Sequence, residues 1–213
     1  MFSDGTEWTR SELDMVNASL LVIGETPLLP GTVASLLPLG TDGEVAFRMV
    51  KETMVEVQSR GWYYNTDYDF NLVPDSSGFI TMPPNTLRVD FGIGEKNRYA
   101  IKNGKIYDYQ EQTFKIEGII TCDVVWLVDY TELPPEAYEY ISLRAGRKFQ
   151  QRVIGAQELD ALAVRDEADA LTNMMRRQLQ SQDYNLQNSR VSTRTTNGFL
   201  VSGLYGTKGR KNY

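Results

Sequence analysis

The period of the apolar residues switches twice along this chain, and that switch limits the fold more than any other feature. Up to residue 61, apolar side chains recur at three- and four-residue intervals. From 62 to 133 they alternate with polar ones between Gly, Pro and Asn turns, and from 134 the helical interval returns. The order is two helices, a β-rich stretch, then two more helices, which predicts an α+β fold. Four helices can close into one bundle-like domain, with an antiparallel β-module (a small sandwich or barrel) inserted between the second and third. The expected boundaries are 1–62 and 134–183 for the two halves of the helical domain, 63–133 for the insertion, and 184–213 for an extended C-terminal tail.

Local signals refine this outline. Thr9-Arg10-Ser11-Glu12 reads as a capping box, followed by a stripe of Leu13, Val16, Leu20 and Ile23. Gly24 and Pro27 stop that helix. Residues 26–41 carry Pro27, Pro30 and Pro38 and predict an ordered loop. The second helix is predicted from Asp42 to Arg60-Gly61, burying Ala46, Met49, Val50, Thr53, Met54 and Val57. Pro135 suits the first position of the third helix, Gly155 its end, and Ile141, Ala145 and Phe149 its buried face. The fourth is expected over 156–182 with a stripe of Ala161, Val164, Ala168, Leu171, Met175 and Leu179.

In the β-stretch, Trp62-Tyr63-Tyr64 reads as the lead-in to a strand. Further strands are expected at Phe79–Met82, Leu87–Phe91, Tyr99–Ile101, Ile106–Tyr109, Thr113–Ile116 and Ile119–Val128, six or seven in all. Pro74–Gly78 reads as a turn, and Asn103-Gly104 as a hairpin tip.

Missing residues narrow the chemistry. The chain has no histidine, so no imidazole-based triad, histidine-ligated zinc or iron site, or imidazole general base can be built. The lone Cys122 excludes an internal disulfide or CxxC pair and reads as a core thiol. No apolar run approaches the roughly 20 residues of a membrane span, so no membrane insertion is expected. Met1-Phe2-Ser3-Asp4 lacks the basic flank and apolar stretch of a signal peptide. Gly92-Ile93-Gly94-Glu95 lacks the third glycine of a dinucleotide fingerprint, and Gly203–Gly209 lacks the strand and helix of a phosphate loop. No cofactor or metal is expected.

The net charge of −6 is unevenly spread. Residues 1–183 carry all 28 acids against 17 bases, and residues 184–213 carry no acids and five bases: Arg190, Arg194, Lys208, Arg210 and Lys211. An acidic body repels DNA phosphates. A basic tail poor in large apolar residues is expected to order on a partner, either nucleic acid or an acidic protein surface.

Two clusters invite a chemical reading. Asp67, Asp69 and Asp75, with Asp90 further on, lie among Trp62, Tyr63, Tyr64 and Tyr68. Paired carboxylates beside aromatic platforms suit a carbohydrate (capsule or exopolysaccharide) hydrolase. Solvated acids on a strand face with inward aromatics give the same text, and that reading is preferred. Arg144, Arg147, Lys148 and Arg152 form a basic stripe on the third helix; Glu158, Asp160, Asp166, Glu167 and Asp169 lie on the fourth. Ion pairs between the helices or across a subunit interface are expected, with phosphate binding the alternative.

Gln58-Ser59-Arg60-Gly61-Trp62, followed by Asn65 and Leu72-Val73-Pro74-Asp75, resembles the tail tubular protein A family of Autographiviridae-type podophages. Val16-Asn17, Ile23–Pro27, Ile106-Tyr107-Asp108, Asp129–Pro134 and Arg144–Gly155 agree in order. The resemblance implies a non-enzymatic head-to-tail adaptor, or gatekeeper, in the virion tail, assembled in the bacterial host cytoplasm. It implies a dodecameric ring below the portal protein. That ring receives the nozzle protein (tail tubular protein B) and tail fibres, and genomic DNA passes through its lumen without specific binding. The helical domain would make the ring, with Arg144, Arg147, Arg152, Asp166 and Glu167 as interface candidates. The C-terminal extension would reach the portal. Its candidate contacts are Tyr184, Arg190, Arg194, Phe199, Leu204, Tyr205, Lys208, Arg210, Lys211 and Tyr213.

Overall fold

A computed structural model describes residues 12–29, 37–92, 95, 97–155 and 157–183. The Thr9 cap and all the tail candidates from Tyr184 onward lie outside the described residues. The elements are α1 (Glu12–Val22), α2 (Asp42–Gln58), β1 (Thr66–Leu72), β2 (Thr86–Phe91), β3 (Tyr99–Lys102), β4 (Lys105–Asp108), β5 (Ile120–Trp126), α3 (Pro135–Val153) and α4 (Gln157–Asp183). The chain is α+β, as its periodicity predicts.

Helix ends follow the sequence signals. Gly24 takes φ +80° beyond α1, and the next N–H, from Glu25, donates back to the Leu20 carbonyl. Thr41 caps α2 by accepting from the Glu44 N–H. Pro135 opens α3, and Gly155 closes it at φ +67°.

α3 is the central helix, packed on α1, α2 and α4. All six residues expected on the buried face of α2 are buried, as are Ile141, Ala145 and Phe149 of α3. Together with Met15, Val16, Leu20, Trp62, Leu133 and Met174 they make the helical core. At Gly146 α3 runs close to α1, so that a Cβ there would just touch the Val22 side chain at 3.4 Å.

β1 and β2 each pair antiparallel with β5, giving the order β1-β5-β2. β3 and β4 form a separate hairpin whose tip residues, Asn103 and Gly104, take φ +51° and +70°. Two positive φ values in a two-residue tip match the primed turns that suit a right-twisted hairpin. Both sheets close over a second core that includes Leu72, Phe91, Tyr99, Ile106, Ile120, Cys122 and Val124.

The structure corrects several expectations. Among the described residues there are five strands rather than six or seven. Thr113 and Thr81 each make only an isolated bridge, to Asp108 and Lys105. Trp62-Tyr63-Tyr64 does not lead a strand: Trp62 is buried in the helical core, and β1 begins at Thr66. The buried face of α4 is Glu167, Ala170 and Met174; of the expected stripe, Leu171 and Met175 are partly buried against the helical core, whereas Ala161, Val164, Ala168 and Leu179 are exposed. The fourth helix packs chiefly on α3, so one narrow stripe is covered. Glu167 lies in that stripe and pairs with Arg144 and Arg147 of α3.

Candidate functional site

The bundle and the β-module meet in a hydrogen-bonded joint. Gln58, at the end of α2, is fully buried. Its amide is used at both ends: Nε2 donates to the Val128 carbonyl at 3.0 Å, and Oε1 accepts from the Val128 N–H at 2.8 Å. Asn65 is buried beside it and donates through Nδ2 to the carbonyls of Gln58 and Trp126, at 3.0 and 2.8 Å. Its Oδ1 accepts from the Trp62 N–H, and the Trp62 indole donates to the Val57 carbonyl at 2.7 Å.

Between these residues the chain must turn at Gly61, where φ is +79°. A Cβ there would meet Arg88 Nη2, Thr66 Oγ1 and Val125 Cγ2 at 3.1–3.2 Å, so glycine is required by both conformation and space. Arg88 Nη1 donates to the Ser59 carbonyl at 2.9 Å and ties β2 to the same turn. On the other side, the Tyr63 N–H donates to Gln178 Oε1 of α4, and the Tyr63 hydroxyl donates to Glu136 Oε1 of α3 at 2.6 Å. Burial, then the Glu136 carboxylate, push the Tyr63 hydroxyl up to about 12, so it stays a donor.

The basic stripe of α3 is answered within the protomer. Arg144 donates to Glu56 of α2 and Glu167 of α4, each at 2.5 Å. Arg147 pairs with Glu167 and Asp160, and Lys148 with Glu56. Burial works against the charge on Arg144, but its hydrogen bonds to Glu56 and Glu167 outweigh it and hold its pKa above the ordinary value. Burial raises the Glu56 carboxyl, and the hydrogen bonds from Lys148 and Arg144 more than reverse that. The network joins three helices. Arg152 and Asp166 are exposed.

The four carboxylates of the hydrolase reading are used separately. Asp67 accepts from the Trp126 indole at 2.8 Å. Asp69 sits at a β-bulge with φ +53°, its N–H donating to Asp123. Asp75 accepts from the Ser77 and Phe79 N–H groups in the turn after β1. Asp90 pairs with Arg88 at 2.8 Å. Asp67 lies near the start of β1 and Asp75 beyond its end, in the turn that follows. An open groove of about 540 Å³ runs between β2 and β3, and Asp90 is the one candidate carboxylate lining it. Among the described residues, no group of three His, Cys, Asp or Glu could hold a metal ion. Cys122 donates weakly to the Phe70 carbonyl, and burial, then the nearby Asp123, push its thiol up to about 11, away from nucleophilic chemistry.

The family model for tail tubular proteins matches residues 13–184. The chain belongs to the tail tubular protein family. It is similar to "Tail tubular protein A" of Klebsiella phage KP34, with 21% identity over 183 residues, covering 86% of this chain and 95% of that protein. This tail tubular protein is therefore a structural component of a phage tail.

The motifs that carry the resemblance make the joints of the fold. Gln58–Trp62 and Asn65 build the bundle-to-module joint. Asn17 clamps the loop after α1 through two bonds to the Leu28 backbone. Asp129 caps the turn into α3 by accepting from Thr131, and Arg144–Gly155 contributes the charge network. Sequence reasoning flagged Gln58 and Asn65 only as motif letters and missed Glu56. Its partners lie 88 and 92 residues away, beyond any local period.

Proposed function

We propose that this tail tubular protein is the head-to-tail adaptor of its phage: a homo-oligomeric ring, dodecameric by family resemblance, between the portal and the nozzle. The family match over residues 13–184 carries this reading. In it the helical halves, 1–62 and 134–183, form the ring, and the inserted module, 63–133, projects from it to meet the nozzle protein and tail fibres. DNA passes through the lumen, and an acidic body suits that task because it does not grip phosphate. Arg152 and Asp166 reach the neighbouring subunit. Arg144, Arg147 and Glu167 shape the interface from within the protomer. Assembly takes place in the host cytoplasm, and the finished ring sits at the head-tail junction. No catalysis is part of this role.

The tail from Tyr184 to Tyr213 is assigned to portal binding. It holds five bases and no acids, so an acidic portal surface would attract it. Removing 184–213 is expected to leave the melting temperature within a few degrees of the full chain and to abolish co-purification with portal rings. Undiminished capture on immobilised portal would sink the assignment.

A further inference from the structure

The charges of the β-module are sorted between its two sheets. Residues 96–115, which hold the β3–β4 hairpin, carry five bases and two acids, whereas residues 63–95 and 116–133 together carry one base and nine acids. One of the two hairpin acids, Asp108, is buried and paired with Arg98 at 2.8 Å. Sorting reaches down to individual cross-strand pairs. Lys102 stands directly opposite Lys105 in the hairpin, and Asp90 directly opposite Asp123 across β2 and β5.

Like charges facing each other across strands destabilise a sheet. Neither lysine has a carboxylate within ion-pair distance among the described residues. Of the two aspartates, Asp90 pairs with the half-exposed Arg88, and Asp123 accepts the Asp69 N–H but has no ion pair among the described residues. Each pair points away from the shared core: Ile106, next to Lys105, is fully buried, and so is Val124, next to Asp123. The two pairs thus sit on outer faces of two sheets that pack back to back, where one copy cannot bring them together.

The cationic face is also aromatic. Lys102 Nζ lies 3.8 Å from the Tyr107 ring centre and 4.3 Å from that of Tyr109, and Lys105 Nζ lies 4.5 Å from that of Phe79. Such stacking holds the ammonium groups in place on a surface with apolar area to bury, and Tyr109 is half exposed.

We propose that the outer face of the β3–β4 hairpin docks on the outer face of the β1-β5-β2 sheet of a second copy of this chain, Lys102 and Lys105 meeting Asp90 and Asp123. Opposed residues in an antiparallel pair have Cα atoms about 4.5–5.5 Å apart, so the two pairs match in spacing as well as sign. The two faces differ, so the contact is head-to-tail, the kind that builds a ring when its rotation closes. It deepens the ring reading by giving the β-module a seam of its own.

A charge swap tests the contact on the full chain by sedimentation velocity at about 50 mM salt, where surface charges act over more than 10 Å. Lys102→Glu/Lys105→Glu and Asp90→Lys/Asp123→Lys are each expected to weaken self-association by about tenfold or more. An equimolar mixture of the two is expected to recover it, because each altered face then meets its complement. Recovery also shows that both variants are folded. Unchanged association of either variant would overturn the proposal. So would a mixture that stays dissociated while both variants melt near the wild-type temperature. A wild-type chain that is monomeric under these conditions also overturns the contact, and leaves the adaptor role standing as a ring formed only on the portal.

Discussion

Glu167→Ala is expected to cost about 3 kcal/mol of stability and to lower the melting temperature by about 6–12 °C. Glu167 lies on the covered face of α4, with its side chain 9% exposed, and accepts from both Arg144 and Arg147. Alanine would leave two partly buried guanidinium groups short of a partner, and removing one member of such a set costs more than the pairing contributes. Arg144 keeps Glu56 and Arg147 keeps Asp160, which holds the loss near the lower end of that class. Glu167→Gln retains an acceptor oxygen and is expected to lose about half as much. Calorimetric scans of the three proteins give the comparison, and equal losses for Ala and Gln would mean that the charge alone, not the acceptor oxygen that Gln retains, sets the effect.

Gln58→Leu is expected to destabilise by a similar margin, about 2–4 kcal/mol, through loss of hydrogen bonding rather than charge. Leucine fills nearly the same space but strands the Val128 N–H and carbonyl, both now met by the Gln58 amide. Urea unfolding reads the loss as a lower midpoint. Hydrogen exchange locates it: protection should fall around Asn65, Trp126 and Val128 and persist at the centre of α3. Uniform loss across both cores would show that the joint is not a separate point of contact.

Those two sites mark where sequence stops being informative. The stripes of α2 and α3 were legible because each helix buries a broad face against several neighbours, so burial follows the apolar period. The hairpin tip was legible because Asn103-Gly104 supplies two positive φ values at little cost. β1 was not: it is an edge strand with five consecutive exposed residues, and a bulge between Asp67 and Phe70 breaks its alternation. The α4 stripe was legible only in its second half, where Leu171 and Met175 pack on the helical core beside Ala170 and Met174; toward the start of α4 the apolar residues Ala161 and Val164 stay exposed. Gln58 meets Val128 70 residues away, and Glu56 meets Arg144 88 residues away. Pairings at that range leave no local trace. The family motifs pointed to Gln58 and Arg144, but not to Glu56 or Val128, and did not reveal that this set holds helix, turn and sheet together.

The head-to-tail adaptor role is tested most directly by locating the protein in the mature particle. Virions carrying an epitope-tagged copy, labelled with gold and imaged by electron microscopy, should show label at a single vertex, between the head and the tail nozzle. Label at the fibre tips, over the whole capsid, or absent from purified virions would contradict the account.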